Sequence, residues 1–160
     1  MEINKRIIIC GHGGSGKDFL KEKFIKKGFN PSISYTTRKP RVGELQGVDY
    51  YYCNSEEFNK MILNDKFYEH KEFRGWLYGT TVKEFNSSDI FIMTPLAITE
   101  LPKKDRKNSF IIYLDIDERI RKMRLSSRND ADSVERRIET DRKLFENFKD
   151  YDLKITDSTF

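Results

Sequence analysis

Hydrophobic and polar positions follow a strand-then-helix pattern at the start of this chain. Residues 6–10 (RIIIC) are apolar and mostly β-branched with no polar face, as expected for a strand that is buried on both sides. A glycine-rich turn follows, and then an amphipathic run over residues 17–27 that stops at Gly28, where a glycine commonly ends a helix. The opening therefore predicts a strand, a glycine loop and a helix.

The last third of the chain returns to this alternation. Apolar runs at residues 90–93 and 110–114 predict two more buried strands, and residues 153–156 predict a final one. Helices are predicted over residues 118–127 and 133–148. Because strands that alternate with helices form parallel sheets, the fold class is α/β, with a central parallel sheet flanked by helices.

The middle of the chain has a different pattern, which predicts an inserted α+β segment with a small mixed sheet. Ser55, with Glu56 and Glu57, predicts the N-cap and acidic first turn of a helix that reaches residue 63. Short strands are predicted on both sides of it, the last two as a hairpin: residues 33–35, 48–53, 67–73 and 76–81.

Composition favours one folded domain. The 160 residues are 37% hydrophobic and 35% charged, and 12 Phe and 8 Tyr are dispersed among them, which excludes a disordered chain. No apolar run approaches the ~20 residues that span a bilayer, and the first apolar stretch is too short for a secretory signal. Cys10 and Cys53 have neither metal-ligand spacing nor a disulfide framework, so a reducing, cytoplasmic location is expected.

The net charge of +4, from 30 Lys and Arg against 26 Asp and Glu, is small. It fits an anionic ligand as well as it fits nucleic acid. The lysine-rich stretches at residues 21–27 and 103–107 are typical of solvated surface. A nucleic-acid role would rest on this charge alone, so neither a nucleic-acid nor a membrane partner is expected.

The most specific motif is the phosphate loop, residues 11–18 (GHGGSGKD), which matches G-x-x-x-x-G-K-[ST] except at its last position. Its glycines let several backbone N–H groups converge on a phosphate at the positive end of the next helix. Lys17 adds a charge directed at the β- and γ-phosphates of a nucleotide. The residues expected to bind the nucleotide are Gly11, Gly13, Gly14, Ser15, Gly16, Lys17 and Asp18. Ser15 is expected to act through its N–H, and His12 to be an exposed loop residue.

A second anion site is predicted at residues 34–41 (SYTTRKPR), where Arg38 and Arg41 stand three apart in an extended turn. Pro40 disfavours a helix there, and two guanidinium groups suit a phosphate dianion. Taken alone, such a pair is a weak signal, because it more often belongs to a solvated surface.

The block from Ser34 to Thr80 closely resembles guanylate kinases. The matching pieces are SYTTRKPRVGE, GVDYYYCNSEEF, FYEHKEF and YGT, at the family's mutual spacing. The resemblance implies a single domain with the P-loop kinase fold. Its expected parts are a core of residues 1–33 and 82–160, a GMP-binding insertion at 34–81 and a helical lid at 124–140.

The resemblance also implies an acceptor site for GMP or dGMP. The residues at phosphate-binding positions of the family are Arg38, Arg41, Tyr50 and Tyr78, and those at guanine-reading positions are Ser34 and Glu69, with Thr80 beside them. The chemistry agrees, because guanine presents N1–H and N2–H₂ side by side to one carboxylate, whereas adenine presents a bare N1. Ser34 can donate to guanine O6. Such a site can reject the wrong base by roughly 10⁴-fold.

Residues 121–128 (RKMRLSSR) resemble the start of the family's lid. Arg128 and Arg137 match arginines that close over the donor phosphates, and Arg124 either supports them or contacts the phosphates too. The catalytic residues implied are Lys17, Arg38, Arg41, Arg128 and Arg137, with ATP as donor and Mg²⁺ as cofactor. Phosphoryl transfer needs positioning and positive charge and no covalent enzyme intermediate.

The sequence departs from the family at the metal. Residues 90–94 (IFIMT) carry no carboxylate where the family has aspartates, and the phosphate loop carries Asp18 where a Ser or Thr is usual. We therefore hypothesise that Asp18 is the Mg²⁺ ligand. Asp157 also stands where the family usually has an asparagine near the donor adenine.

Two alternatives to a guanylate kinase remain open at this point. A non-catalytic guanylate-kinase-like interaction module is favoured by the missing strand carboxylates, but the intact Gly16-Lys17 pair argues against it. A deoxynucleoside monophosphate kinase with broader acceptor choice is the nearer alternative, because ribose contacts cannot be predicted from sequence.

Overall fold

The computed structural model describes residues 5–128 and 133–160, and strands and helices alternate along most of them. The strands are β1 (Arg6–Gly11), β2 (Tyr35–Thr36), β3 (Tyr51–Tyr52), β4 (Phe67–Phe73), β5 (Trp76–Thr81), β6 (Ile90–Ile92), β7 (Ser109–Leu114) and β8 (Leu153–Ile155). The helices are α1 (Lys17–Lys26), α2 (Ser55–Leu63), α3 (Val82–Ser87), α4 (Pro95–Thr99), α5 (Lys103–Lys107), α6 (Glu118–Ser126) and α7 (Val134–Phe145).

A parallel sheet in the order β6-β1-β7-β8 confirms the predicted fold class. Strand β1 lies between two neighbours, with Ile8 opposite both Phe91 of β6 and Ile111 of β7. Ile8 and Ile9 are completely buried, which explains why this strand has no polar face. The C-terminal end of β1 delivers the chain directly into the phosphate loop.

The second sheet has the order β3-β2-β5-β4 and is mixed, as predicted. Strands β2 and β3 pair in parallel, whereas β5 pairs antiparallel with both β2 and β4. Arg74 and Gly75 form the turn between β4 and β5, and both have positive φ angles.

The described chain divides into two compact units. One contains the parallel sheet and consists of the residues up to Phe29 together with Asp89–Phe160. The other, Asn30–Ser88, contains the mixed sheet, and the predicted insertion at residues 34–81 lies within it. Residues 129–132 of the predicted lid, and residues 1–4 of the predicted core, lie outside the described residues.

The hydrophobic core of the first unit fixes helix α1 against the sheet. Leu20 of α1 packs with Ile9, Leu114 and Ile116 in one buried cluster. This contact holds the start of α1 close to the end of β1, which is where an anion-binding loop has to turn. Among the described residues, none of the helices has the length and apolar character required to cross a membrane.

The start of α2 corrects one prediction. The N-cap is Asn54, not Ser55, because Asn54 has extended backbone angles and Ser55 is already helical. The Asn54 side chain accepts a hydrogen bond from the Glu57 amide, and the Glu57 carboxylate accepts one from the Asn54 amide, which together form a capping box. Helices α4 and α5 were not predicted, because five residues are too few for a periodic pattern.

Gly79, the glycine of the YGT segment, is required by close packing. A Cβ placed on it would lie 2.6 Å from two ring atoms of Phe67 and 3.1 Å from Phe58. We expect Gly79→Ala to lower the free energy of unfolding by about 1–3 kcal/mol, because the stacked Phe58 and Phe67 rings must shift. Urea unfolding followed by far-UV circular dichroism measures the loss.

The matched control is the double variant F67L/G79A. The smaller side chain relieves the closest clash, so adding G79A to F67L should cost less than adding it to the wild type. An equal cost in both backgrounds would show that the Phe67 ring is not the cause.

Candidate active site

The phosphate loop depends on two glycines in the left-handed region of backbone conformation. Gly14 has a φ of 77° and Gly16 a φ of 95°, values that residues with a side chain rarely adopt. Gly14 is also packed closely against α6, since a Cβ there would lie 2.9 Å from the main-chain oxygen of Arg121. The loop is thus held between β1 and α6.

The N-terminus of α1 is arranged to attract an anion. Gly16 is its N-cap, and no side chain of the described residues caps this end of the helix. The Lys17 ammonium donates to the main-chain oxygens of Gly11 and His12, at 2.8 and 3.0 Å, and so stays against the loop. The helix dipole and the Lys17 ammonium together fit a phosphate group.

Asp141 contacts the phosphate loop and was not predicted from the sequence. The Gly13 amide donates to its Oδ2 atom at 2.6 Å, and Asp141 is only 2% exposed. A signal was present, because position 141 lies on the same face of α7 as the buried Ile138 and Phe145. Arg137 is buried on this face as well, and a carboxylate is rarely buried unless it has a partner.

The prediction that His12 is an exposed loop residue is wrong. His12 is 7% exposed, and its ring stacks on Phe145 with a centroid distance of 4.1 Å. Burial, helped by the charge of Arg121, lowers the pKa of His12 to about 4. The imidazole is therefore neutral near pH 7 and packs as an aromatic ring, because α7 covers this side of the loop.

The three candidate arginines of the lid lie in different surroundings. Arg124 donates to the main-chain oxygens of Gly14 and Ser158, at 3.0 and 3.1 Å, so it supports the loop. Arg128 is exposed just beyond α6, whereas Arg137 on α7 is 1% exposed.

The remaining donor-site candidates divide into exposed and buried groups. The Asp18 side chain is 81% exposed and pairs with Lys21 at 3.5 Å. Ser15 is fully buried, and its amide donates to the main-chain oxygen of His12. After β6, Thr94 uses its side chain to cap α4 by accepting from the Ala97 amide.

The residues present fit Mg²⁺ through one protein ligand. The described residues contain no group of three or more His, Cys, Asp or Glu side chains that could hold a metal ion. Mg²⁺ in kinases keeps several waters and takes its other oxygens from one or two carboxylates and the substrate phosphates. Asp18, at the start of α1, is an exposed carboxylate next to the phosphate loop.

In the second unit, a carboxylate organises the candidate acceptor site. Both terminal nitrogens of Arg38 donate to Glu44, at 3.0 and 3.1 Å, and the Arg41 amide donates to it at 2.8 Å. The Tyr52 hydroxyl donates to Glu44 as well, at 2.7 Å. Burial opposes the ionisation of Glu44, but these hydrogen bonds outweigh it and lower its pKa to about 2. Glu44 was not predicted, although it stands three residues after Arg41 in a basic turn.

The structure brings together the four residues that the resemblance assigns to the acceptor phosphate. Arg38 is 5% exposed and lies over the Tyr50 ring, 5.2 Å from its centroid. The Tyr50 and Tyr78 rings meet edge to face at 6.1 Å. An Arg41 guanidinium nitrogen lies 3.9 Å from Glu44 Oε1.

The candidate guanine-reading residues lie around strand β5. The Thr80 hydroxyl donates to Glu69 Oε1 at 2.9 Å, and Thr80 is 2% exposed. An irregularity in the β4–β5 register between Phe67 and Glu69 leaves Tyr68 as an extra residue, and its ring stacks on Phe85 at 3.6 Å. Tyr35 pairs with Gly79, so the antiparallel register leaves Ser34 next in line beside Thr80.

Comparison with known proteins places this arrangement in one family. The guanylate kinase family model matches residues 3–160. The chain belongs to the guanylate kinase family. It is 31% identical over 160 residues to guanylate kinase of Listeria monocytogenes, covering 93% of this chain and 78% of that protein. It is 36% identical over 118 residues to guanylate kinase of Schizosaccharomyces pombe, covering 71% of this chain and about half, 49%, of the yeast protein.

The fold agrees with this family. The crystal structure of guanylate kinase from Anaplasma phagocytophilum superposes with a TM-score of 0.72 at 21% identity. The match covers 97% of this chain and 79% of that one. Family membership and the P-loop kinase fold predicted from the sequence are thereby confirmed.

The Glu44 contacts predict a pH-dependent contribution to stability. Because the pKa of Glu44 is lowered from 4.5 to about 2, its ionised form stabilises the fold above pH 4.5, and this stabilisation is lost as the pH falls towards 2. We expect Glu44→Gln to lower the free energy of unfolding at pH 7 by about 1–3 kcal/mol, since the buried Arg38 loses its ionic partner. Urea unfolding from pH 2 to 7 measures both effects.

The control is Tyr52→Phe, which removes one hydrogen bond to Glu44 and leaves the ion pair. It should cost less than E44Q and keep the acid-dependent loss. If E44Q and wild type lose stability in parallel between pH 5 and pH 2, Glu44 is not the titrating group.

Proposed function

We propose that this protein transfers the γ-phosphoryl group of ATP to GMP or dGMP, producing ADP and GDP or dGDP. The observation that carries the proposal is the Glu69–Thr80 contact in the same unit as the Arg38 cluster. A site for phosphate alone needs only the arginines. A carboxylate oriented by a buried hydroxyl on the adjoining strand adds the means to recognise a base.

Glu69 would read guanine through its two adjacent donors. One carboxylate oxygen already accepts from Thr80, and each carboxylate oxygen can accept more than one hydrogen bond. Guanine N1–H and N2–H₂ match the two oxygens, and Ser34 can donate to O6. AMP would place its bare N1 against the carboxylate, leaving buried polar groups unpaired, which costs far more than one missing contact.

The acceptor phosphate would lie against Arg38, Arg41, Tyr50 and Tyr78. Glu44 holds Arg38 in place before a nucleotide arrives, so little side-chain entropy is lost on binding. The positive charge of the arginines screens the acceptor from the donor phosphates. One of the acceptor's own phosphate oxygens is the nucleophile, so no strong general base is required.

The donor phosphates would be held by the phosphate-loop amides, Lys17 and the open end of α1. We further propose that Arg128 and Arg137 stabilise the charge that spreads over the transferring group. Mg²⁺, when bound, supplies additional charge neutralisation at the donor oxygens, and Asp18 is its proposed ligand.

The free thiols of Cys10 and Cys53 support a reducing, cytoplasmic location.

The test of the proposed function is an acceptor panel. Purified protein is given ATP and Mg²⁺ with GMP, dGMP, AMP, dTMP or CMP, and ADP formation is followed by a coupled assay. We expect turnover with GMP or dGMP and a kcat/KM at least about 10³-fold lower with AMP. Similar turnover across the panel would contradict guanine selection, and no ADP with any acceptor would contradict the kinase activity.

A substitution at Glu69 tests the residue that carries the selection. Glu69→Gln replaces one acceptor oxygen by a donor amide, so we expect kcat/KM for GMP to fall by about 10²–10³-fold. The matched control is Glu72→Gln, at an exposed position of the same strand β4, which should keep wild-type values. Equal effects of the two variants would remove Glu69 from the site.

The Mg²⁺ concentration that turnover requires tests the role of Asp18. If Asp18 is the Mg²⁺ ligand, Asp18→Ala should raise the Mg²⁺ concentration for half-maximal turnover by about tenfold, and Asp18→Ser, which keeps an oxygen ligand, should raise it less. Lys21→Ala removes the ion-pair partner of Asp18 while keeping the carboxylate, and serves as the control. Full activity of D18A and D18S at limiting Mg²⁺ would disprove the hypothesis.

A further inference from the structure

The phosphate loop already holds an anion that the chain itself supplies. The Gly13 amide donates to Asp141 Oδ2 at 2.6 Å, which is a short distance for an amide donor and an oxygen acceptor. The two residues are 128 positions apart, so this contact is set by the tertiary fold and not by the loop. A carboxylate oxygen therefore occupies one donor of a loop that is built to receive phosphate oxygens.

The buried face of helix α7 carries charge as well as apolar surface. Arg137, which is 1% exposed, stands one turn before Asp141 on this face, together with Ile138 and Phe145. A buried carboxylate is costly unless it is paired or hydrogen-bonded. The Gly13 amide gives Asp141 such a hydrogen bond, so the carboxylate ties α7 to the phosphate loop.

The charge of Asp141 acts on the same group of side chains as the loop lysine. Asp141, Lys17 and Arg121 all interact electrostatically with His12, which stands next to Gly13. With Asp141 only 2% exposed, solvent screens its charge weakly. Its negative charge thus offsets part of the positive potential that Lys17 creates for phosphate.

We propose that Asp141 competes with the donor's polyphosphate for the phosphate loop and so weakens the binding of ATP and ADP. An amide has one N–H, so a phosphate oxygen that uses the Gly13 donor must displace the carboxylate. A phosphate that leaves this donor untouched is still repelled by the charge. The inference deepens the proposed function, from which it takes the nature of the donor, and it makes Asp141 a determinant of donor affinity.

The experiment measures binding without turnover. Isothermal titration calorimetry gives the Kd of ATP, and of inorganic tripolyphosphate, for the wild type and for Asp141→Asn, which keeps an oxygen acceptor but loses the charge. We expect D141N to bind both probes about five- to tenfold more tightly at low salt, with the difference shrinking as salt is added. Unchanged or weaker binding by D141N would overturn the proposal, because Asp141 would then be neutral or would position the loop for phosphate.

The matched control is Glu139→Gln, which removes the same charge from an exposed position on the same helix. It should leave both Kd values within about twofold, since a solvated charge is screened. An equal gain in E139Q and D141N would assign the effect to net charge and contradict a local role for Asp141.

A second readout observes the contact itself. The backbone amide proton of Gly13 should resonate downfield in the wild-type NMR spectrum, shift upfield in D141N and stay unchanged in E139Q. Adding tripolyphosphate should move it in the wild type. If D141N does not fold, Asp141→Ala and the titration of the wild type test the proposal instead. The proposal would be overturned by a Gly13 signal that tripolyphosphate leaves unmoved together with a Kd that D141A does not improve.

These experiments can refute the proposed function and the role of Asp141 independently. Loss of the proposed function would appear as an acceptor panel without ADP formation, while the tripolyphosphate titrations would still report on Asp141. Conversely, an active guanylate kinase whose D141N variant binds ATP no better would leave the proposed function intact and refute the competition.

Discussion

The pairing of β1 between two parallel neighbours is the constraint on which the donor site depends. Because β1 is hydrogen-bonded to β6 on one side and to β7 on the other, the strand cannot shift its register without breaking both sets of pairs. The chain therefore leaves the sheet at a fixed point, and Leu20 holds the following helix over the same core. Between these fixed ends, Gly14 and Gly16 adopt the left-handed backbone conformation that lets the loop turn.

The sequence predicted those features whose cause is local or repeated along the chain. The apolar run at residues 6–10, the glycine loop and the alternation of strands with helices each have a pattern that survives without knowledge of the tertiary fold. The Arg38–Glu44 pair could have been found in the same way, because an acid three residues after Arg41 in a basic turn has few other roles.

Other features depend on contacts between distant segments and left weaker traces. His12 was predicted to be exposed because its neighbours are glycines, and only the packing of Phe145 from α7 buries it. The extra residue at Tyr68 depends on how β4 fits β5 and on the Phe85 ring of α3, so no local pattern reports it. The contact between Gly13 and Asp141 joins residues that are 128 positions apart. Its trace in the sequence is an acidic residue spaced three positions after Ile138 and four before Phe145.

Burial of His12 has a consequence for how the donor site responds to acidity. With a pKa of about 4, this imidazole takes up no proton over the range from about pH 5 to 8 in which histidines usually titrate. His12 therefore adds no change of charge to the phosphate loop across that range. The nucleotide's own terminal phosphate does change there, because it gains its second negative charge near pH 6.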